Sequence, residues 1–256
     1  MKTVMEMLYG GYVIVMKIKV KDIKLKVIPS KLANDFVKKH HYSGKVVPNS
    51  KLHFGAFYNN VLHGVMSYGP SINKKGTINL VNKTKWNGFI ELNRMAFDDV
   101  LPKNSESRCI AISVKLIRKK APHIKWIISF ADGTQCGDGT IYRASGFKLV
   151  GIAKNTALRI NPLTKETMHV MQAYHLKKSL EFRKWKPIKG YQLKYICFVD
   201  KTKEKDLSVP TIPFSKLKEL GISMYKGKKL GLDGVKIAHH ATSMKEEGQY
   251  LPQGSN

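Results

Sequence analysis

Residues 126–147 read W-I-I-S-F-A-D-G-T-Q-C-G-D-G-T-I-Y-R-A-S-G-F, and their order decides the fold class. Trp126 to Phe130 is an apolar run without polar alternation, which marks a central strand covered on both faces. Asp132 follows at the carboxyl end of that strand, where open α/β sheets place their ligands. A Gly-rich loop over 132–139 leads to a short helix around 139–145 that carries Tyr142, and a strand returns at 147–153. Strand, loop, helix and strand in succession define an α/β chain.

The segments on either side extend the pattern. Residues 16–28 alternate apolar and basic positions, the period of a half-buried strand. A helix opens at Pro29-Ser30, with Leu32, Phe36 and Val37 on one face and His40, His41, Tyr42 and Ser43 at its end. Strands 52–58 and 61–68 meet at Asn59-Asn60, a hairpin turn because Asn tolerates positive φ. A lysine-rich loop over 71–87 precedes a strand at 88–97. Asn104 is the expected N-cap of a helix over 105–120, with Glu106 in its first turn and Arg118, Lys119 and Lys120 in its last. Residues 154–189 are irregular, basic and rich in His, Trp and Arg, and they read as an insertion before a last strand at 191–199. The expected division is a catalytic domain over 16–200 and a basic, partly flexible extension over 201–256. Residues 1–15, upstream of a second Met at 16, read as an N-terminal extension with little role in the fold.

Charge narrows the partner. Forty-five Lys and Arg oppose 18 Asp and Glu, a net +27, and a polyanion relieves the self-repulsion this implies. DNA, RNA and an anionic membrane surface all qualify, and a lysine-biased proteome is the competing explanation, since only six of the 45 are arginine. The size of the charge for this length favours nucleic acid. No run approaches the roughly 20 apolar residues of a membrane span, so a membrane partner is not expected. Cys109, Cys136 and Cys197 are too few and too widely spaced for a disulfide framework or a zinc site, which points to a reducing, cytoplasmic setting. The sequence carries no signal of oligomeric state.

Three constellations carry candidate chemistry. The helix start P-K-N-S-E-S-R, residues 102–108, offers backbone N–H groups, the Ser105 and Ser107 hydroxyls and Arg108 to an anion; an ordinary capped helix is the alternative. Asp132 has the chemistry of a general base and Tyr142 that of a general acid or a base-stacking ring, against a loop cap and a core aromatic. His41 and Tyr42 end the first helix, where a solvated helix end is the plain reading. With Asp132 and Tyr142 they have the donor types of a metal site, iron included, although the sequence shows none.

Taken in order, these segments resemble the Gcn5-related N-acetyltransferase fold, and more closely the phage Mom family. The resemblance rests on E-L-N-R-M at 91–95, P-K-N-S-E-S-R at 102–108, the run from Ser129 to Phe147, H-Y at 41–42 and V-P-T-I-P-F-S at 209–215. It implies a mixed sheet flanked by helices in which strands 88–97 and 126–131 splay apart to admit acetyl-CoA or a related acyl donor. It also implies modification of adenine in double-stranded DNA by an N6 carbamoylmethyl group that shields phage DNA from host restriction. His41, Tyr42, Asp132 and Tyr142 then form the reaction centre, Asn104, Ser105, Ser107 and Arg108 hold the donor phosphates, and Arg94 positions. The usual Gln-, Arg- and Gly-rich pyrophosphate motif of that fold is missing, and plain acetyl transfer does not make a carbamoylmethyl group, so the donor stays open. The insertion is the expected DNA-facing element, with Arg159, Arg183 and Trp185 as contacts and Trp185 or Tyr174 filling the vacated stack; core packing is the alternative for Trp185. Two rival functions keep the same scaffold: an N-acetyltransferase acting on a protein or small amine, and a DNA-binding protein without chemistry.

Overall fold

The computed structural model describes residues 4–9, 12–41, 43–133, 137–155, 157–188, 190–222, 224–225 and 228–229. Tyr42, Cys136 and the final twenty residues therefore lie outside the described residues. Strands β1 (Val4–Tyr9) and β2 (Tyr12–Lys17) pair as a separate antiparallel hairpin. Then follow β3 (Lys24–Val27), α1 (Ser30–His40), β4 (Leu52–Tyr58), β5 (Val61–Gly69) and α2 (Lys74–Ile78). The centre of the chain supplies β6 (Phe89–Phe97), α3 (Ser105–Lys120), β7 (Trp126–Asp132), α4 (Thr140–Ala144) and β8 (Lys148–Lys154). The expected insertion holds β9 (Leu158–Ile160), β10 (Thr167–His169), α5 (Val170–His175), α6 (Ser179–Arg183) and β11 (Lys186–Pro187). It ends at β12 (Tyr191–Phe198), beyond which lie a short 3₁₀ turn and α7 (Ser215–Glu219).

Seven strands form one mixed sheet in the order β3-β4-β5-β6-β7-β12-β8, and only the β6–β7 pair is parallel. The fold class expected from the sequence, a mixed sheet flanked by helices, is the one observed. The β4–β5 turn has both Asn59 (φ 48) and Asn60 (φ 62) left-handed, as a two-residue turn matched to strand twist requires. On one face α3 packs Cys109, Ile110, Val114 and Ile117 against Phe54, Tyr68, Leu92, Ile127 and Tyr195. The opposite face is covered in two parts. Ala33 and Val37 of α1 sit on Val65 and Ala96, while Leu80 and Val81 sit on Phe89, Trp126, Ile128 and Phe198. Trp126 is fully buried, its ring 4.2 Å from that of Phe89, and its Nε1 donates to Thr84 Oγ1 at 3.0 Å.

Three expectations are corrected. The single strand over 16–28 is interrupted by a 3₁₀ turn at Val20–Asp22, which turns both Ile18 and Ile23 into the core. Asn104 does not cap α3 with its side chain: its backbone is left-handed (φ 71), and its carbonyl accepts instead from Arg108 N–H and Ser107 Oγ. Residues 201–222 belong to the domain, since Leu217 and Ile222 are buried in the main core and Ile212 N–H bonds Leu149 O.

The buried polar groups set a pH dependence. His53 is 4% exposed, with Nδ1 2.8 Å from Ser67 Oγ, and burial lowers its pKa from the ordinary 6.5. A depressed folded-state histidine contributes stability above its unfolded value and loses it as pH falls through that value. The melting temperature is therefore expected to fall between pH 7 and pH 5, more steeply in the parent than in a His53→Gln variant. Equal slopes in the two proteins would exclude His53 as the source.

Candidate functional site

The site begins where the parallel pair parts. Only Phe89–Leu92 of β6 pair with Trp126–Ser129 of β7. Beyond them β6 runs on to Phe97 and β7 to Asp132 without pairing to each other, so a gap opens toward the carboxyl ends of both strands. Ser129 Oγ, fully buried, donates to Leu92 O at 2.8 Å at the fork. A bulge lies at the same point: Ser67 pairs with Arg94 and Tyr68 with Leu92, leaving Asn93 unpaired in the β5–β6 register. Bulges bend a strand and re-aim its side chains. Asn93 Oδ1 accepts from Ser50 Oγ at 2.8 Å, and its buried Nδ2 has no hydrogen-bond partner among the described residues.

Strand alternation puts Asp132 on the face of Trp126, Ile128 and Phe130, the face that α1 shares. Asn155 Nδ2 donates to Asp132 Oδ1 at 3.3 Å. His169 of β10 feels the Asp132 carboxylate; burial is nonetheless the larger influence and lowers the imidazole below its ordinary 6.5, with the Lys45 ammonium adding to the fall. That direction favours the neutral imidazole, whose unprotonated nitrogen is able to accept a proton. On the other wall, Arg94 Nε donates to Lys45 O at 2.9 Å and its Nη1 to Asn93 O at 2.9 Å, which ties the loop after α1 onto β6. His41 caps α1 at the start of that loop, where its Nδ1 accepts from Ser43 N–H at 3.1 Å and lies 2.8 Å from Ser43 Oγ.

Tyr142 approaches from the other face. Its ring stacks 5.2 Å from Tyr195 and lies 5.4 Å from Phe147, both in the α3-side core. Tyr195 Oη in turn donates to Asp138 O, holding the Gly-rich loop. Gly139 permits this contact: its φ is +71°, and a Cβ there would fall 2.5 Å from the Tyr195 ring. Asp132 and Tyr142 therefore sit on opposite faces of the sheet at the same carboxyl edge. The start of α3 lies on the Tyr142 side, joined to the end of α4 by Ser145 Oγ to Ser107 O at 3.4 Å. The Ser105 and Ser107 hydroxyls donate to Pro102 O and Asn104 O, and the Ser105 and Arg108 N–H groups to the same two carbonyls, so the Glu106 and Ser107 amides, with the exposed Lys103 and Arg108 side chains, are the groups left to meet an anion. Glu106 is the one carboxylate in that turn.

The insertion is an ordered unit. β10, β9 and β11 form a three-stranded antiparallel sheet around Met168, Ala173, Phe182 and Trp185. Trp185 is 5% exposed, so it packs this small core and is not a surface stacking ring. Arg159 is also structural: Nη1 donates to Arg183 O at 2.7 Å and to Trp185 O at 3.2 Å, and its guanidinium lies 5.4 Å from the Phe182 centroid. Arg183 and Tyr174 are exposed. The structure also brings in residues that the motifs do not single out for the centre, namely Lys45, Ser50, Asn93 and Asn155, and it brings His169 of the insertion within electrostatic range of Asp132. Among the described residues no three of His, Cys, Asp and Glu gather as metal ligands, and Tyr142 is on the wrong face to join Asp132 in such a set. Burial pushes the Cys109 and Cys197 thiols up to about 12 and about 11, which keeps both unreactive. No helix among the described residues is long and apolar enough to cross a membrane.

The profile of the Mom protein family matches residues 22–216. A protein named Methylcarbamoylase mom, from Escherichia phage Mu, is 34% identical over 197 residues, which cover 73% of this chain and 80% of that one. Among solved structures, a Bacillus subtilis acetyltransferase in complex with CoA aligns at a TM-score of 0.42 with 10% identity, covering 69% of this chain and 97% of its own. The ribosomal-protein-S18-alanine N-acetyltransferase of Escherichia coli aligns at 0.42 with 8% identity, covering 70% and 94%.

Proposed function

Because the chain belongs to the Mom protein family, we propose that it is a phage DNA-modifying transferase that places a carbamoylmethyl-type group on N6 of adenine in double-stranded DNA. The observation that carries this reading is the parted β6–β7 pair, with Asp132, Asn155 and His169 on one face and the start of α3 with Tyr142 on the other. Two reactants entering from opposite faces would meet at that gap.

N6 is engaged in base pairing, so the adenine has to leave the stack, at a cost of a few kcal/mol. On the Asp132 face, the carboxylate takes a proton from N6 as the new N6–C bond forms. Asn155 holds one carboxylate oxygen and so orients the group for that transfer. Neutral His169 then accepts the proton and returns it to solvent. On the opposite face, Tyr142 supplies a proton to the departing group. The first turn of α3 fits a phosphate-bearing donor, since its partial positive charge, Lys103 and Arg108 outweigh Glu106. A donor bound there would have to present to N6 a methylene carbon that carries the departing group, since attack on the carbonyl of an acyl thioester would leave an amide in place of a carbamoylmethyl group.

The net charge of +27 supplies affinity for the duplex. Binding should weaken steeply with salt, with a log–log slope of about −0.9 for each phosphate contacted. In the cell, the reading predicts that DNA from bacteria expressing this chain resists restriction enzymes whose sites contain adenine. It also predicts normal cleavage by enzymes whose sites lack A·T pairs. Equal cleavage of both classes, or salt-insensitive binding, would overturn it.

A further inference from the structure

Between α5 and α6 lies an open cavity of about 460 Å³ lined by Arg159, Val170, Tyr174, Ser179, Phe182 and Arg183. Its composition is unusual for a surface that only has to meet water. Tyr174 is 68% exposed, and Leu180 (77%), Leu176 (52%) and Val170 (44%) of the same segment are exposed as well. The guanidinium of Arg159 lies over the Phe182 ring at the floor. The surrounding segment, 154–189, holds nine Lys and Arg against two Glu. Aromatic and guanidinium planes beside dense positive charge suit a flat, anionic ligand.

Position narrows the ligand. Val170, on the cavity wall, donates its N–H to Ala157 O, two residues past the Asn155 whose side chain bonds Asp132. Tyr174 stands four residues further along α5, roughly 6 Å at the helical rise. That is about two steps of a DNA strand at 3.4 Å each. We infer that the α5–α6 cavity is a second nucleotide subsite, which takes the base and phosphate of a nucleotide flanking the extruded target. Tyr174 stacks on the base and Arg183 meets its phosphate. The inference rests on the DNA reading above, and it explains the insertion as the element that holds the strand while the target base occupies the gap.

The proposal is tested with the full chain and a fluorescent duplex containing one adenine, measured by anisotropy at several salt concentrations. Tyr174→Ala is expected to weaken binding about tenfold, within the range measured for losing one base–aromatic stack. Arg183→Ala should weaken it and lower the salt slope by about one contact. Both side chains are exposed, so melting curves should match the parent. Lys119→Ala, at the far end of α3, controls for general loss of charge. A duplex with an abasic nucleotide two positions from the adenine should bind parent and Tyr174→Ala alike, because the stacked base is gone. If Tyr174→Ala and Arg183→Ala bind the intact duplex within twofold of the parent, or if the abasic duplex leaves the tenfold gap in place, the subsite is disproved. Failure of the parent to bind or modify DNA would instead sink the functional reading itself.

Discussion

Asp132→Asn is expected to cut formation of the modified nucleoside by about 100- to 10,000-fold, the usual contribution of a general base. The substitution keeps the shape of the side chain, and its oxygen still accepts from Asn155 Nδ2. Only the capacity to take the N6 proton is lost. Fold and affinity should therefore survive: a melting temperature and a duplex dissociation constant close to the parent's are part of the prediction. Asp132 sits at the open end of β7 on a half-buried carbon frame, so a merely structural carboxylate would show the reverse pattern, with stability lost and activity kept. Nucleosides digested from plasmid DNA of cells expressing each variant give the readout.

Trp185→Ala is expected to dismantle the insertion and leave the main sheet standing. Truncating a buried Trp costs about 3–5 kcal/mol, and a unit whose core is Met168, Ala173, Phe182 and Trp185 has little else to absorb the loss. Loss of that core frees β10, and His169 leaves the side of Asp132. Modification should fall at least tenfold, with weaker DNA binding. Hydrogen exchange separates this from global unfolding: amides of 158–187 should exchange freely, while those of Ile127 and Ile128 stay protected. Full protection of the insertion in the variant would contradict the account.

These expectations depend on features of unequal legibility in the sequence. β7 is legible because a strand covered on both faces must be apolar throughout, and Asp132 is legible as the first charged residue after that run. The Asn59-Asn60 turn is legible because few residues accept two left-handed positions in succession. The start of α3 is found in the right place, but the device that begins it is not, since a left-handed Asn104 turns its side chain away from the helix it was expected to cap. Periodicity also misled at 16–28, because Ile18 and Ile23 are buried on either side of a turn and mimic a continuous strand. The partners of Asp132 are the hardest to read. Asn155 reaches it through the return of β8, and the pairing of β9 with β10, which sets His169 opposite Leu158, brings that imidazole within electrostatic range. No local pattern encodes that encounter. Trp185 shows the opposite limit: a Trp in a basic stretch reads as a DNA contact, and only the small core around it shows why it is there.

Tyr142 and Asp132, close in sequence, lie on opposite faces of the sheet, and in the proposed reaction each would serve the reactant on its own side.

In the proposed reaction the gap between β6 and β7 converts adenine in DNA to an N6-substituted base, with Asp132 as the proton acceptor. Mass spectrometry of nucleosides from cells expressing the parent chain or Asp132→Asn tests it most directly. The account predicts a deoxyadenosine heavier by one carbamoylmethyl group with the parent and its near absence with Asp132→Asn. Unchanged deoxyadenosine with the parent, a modified base other than adenine, or equal modification by both proteins would contradict it.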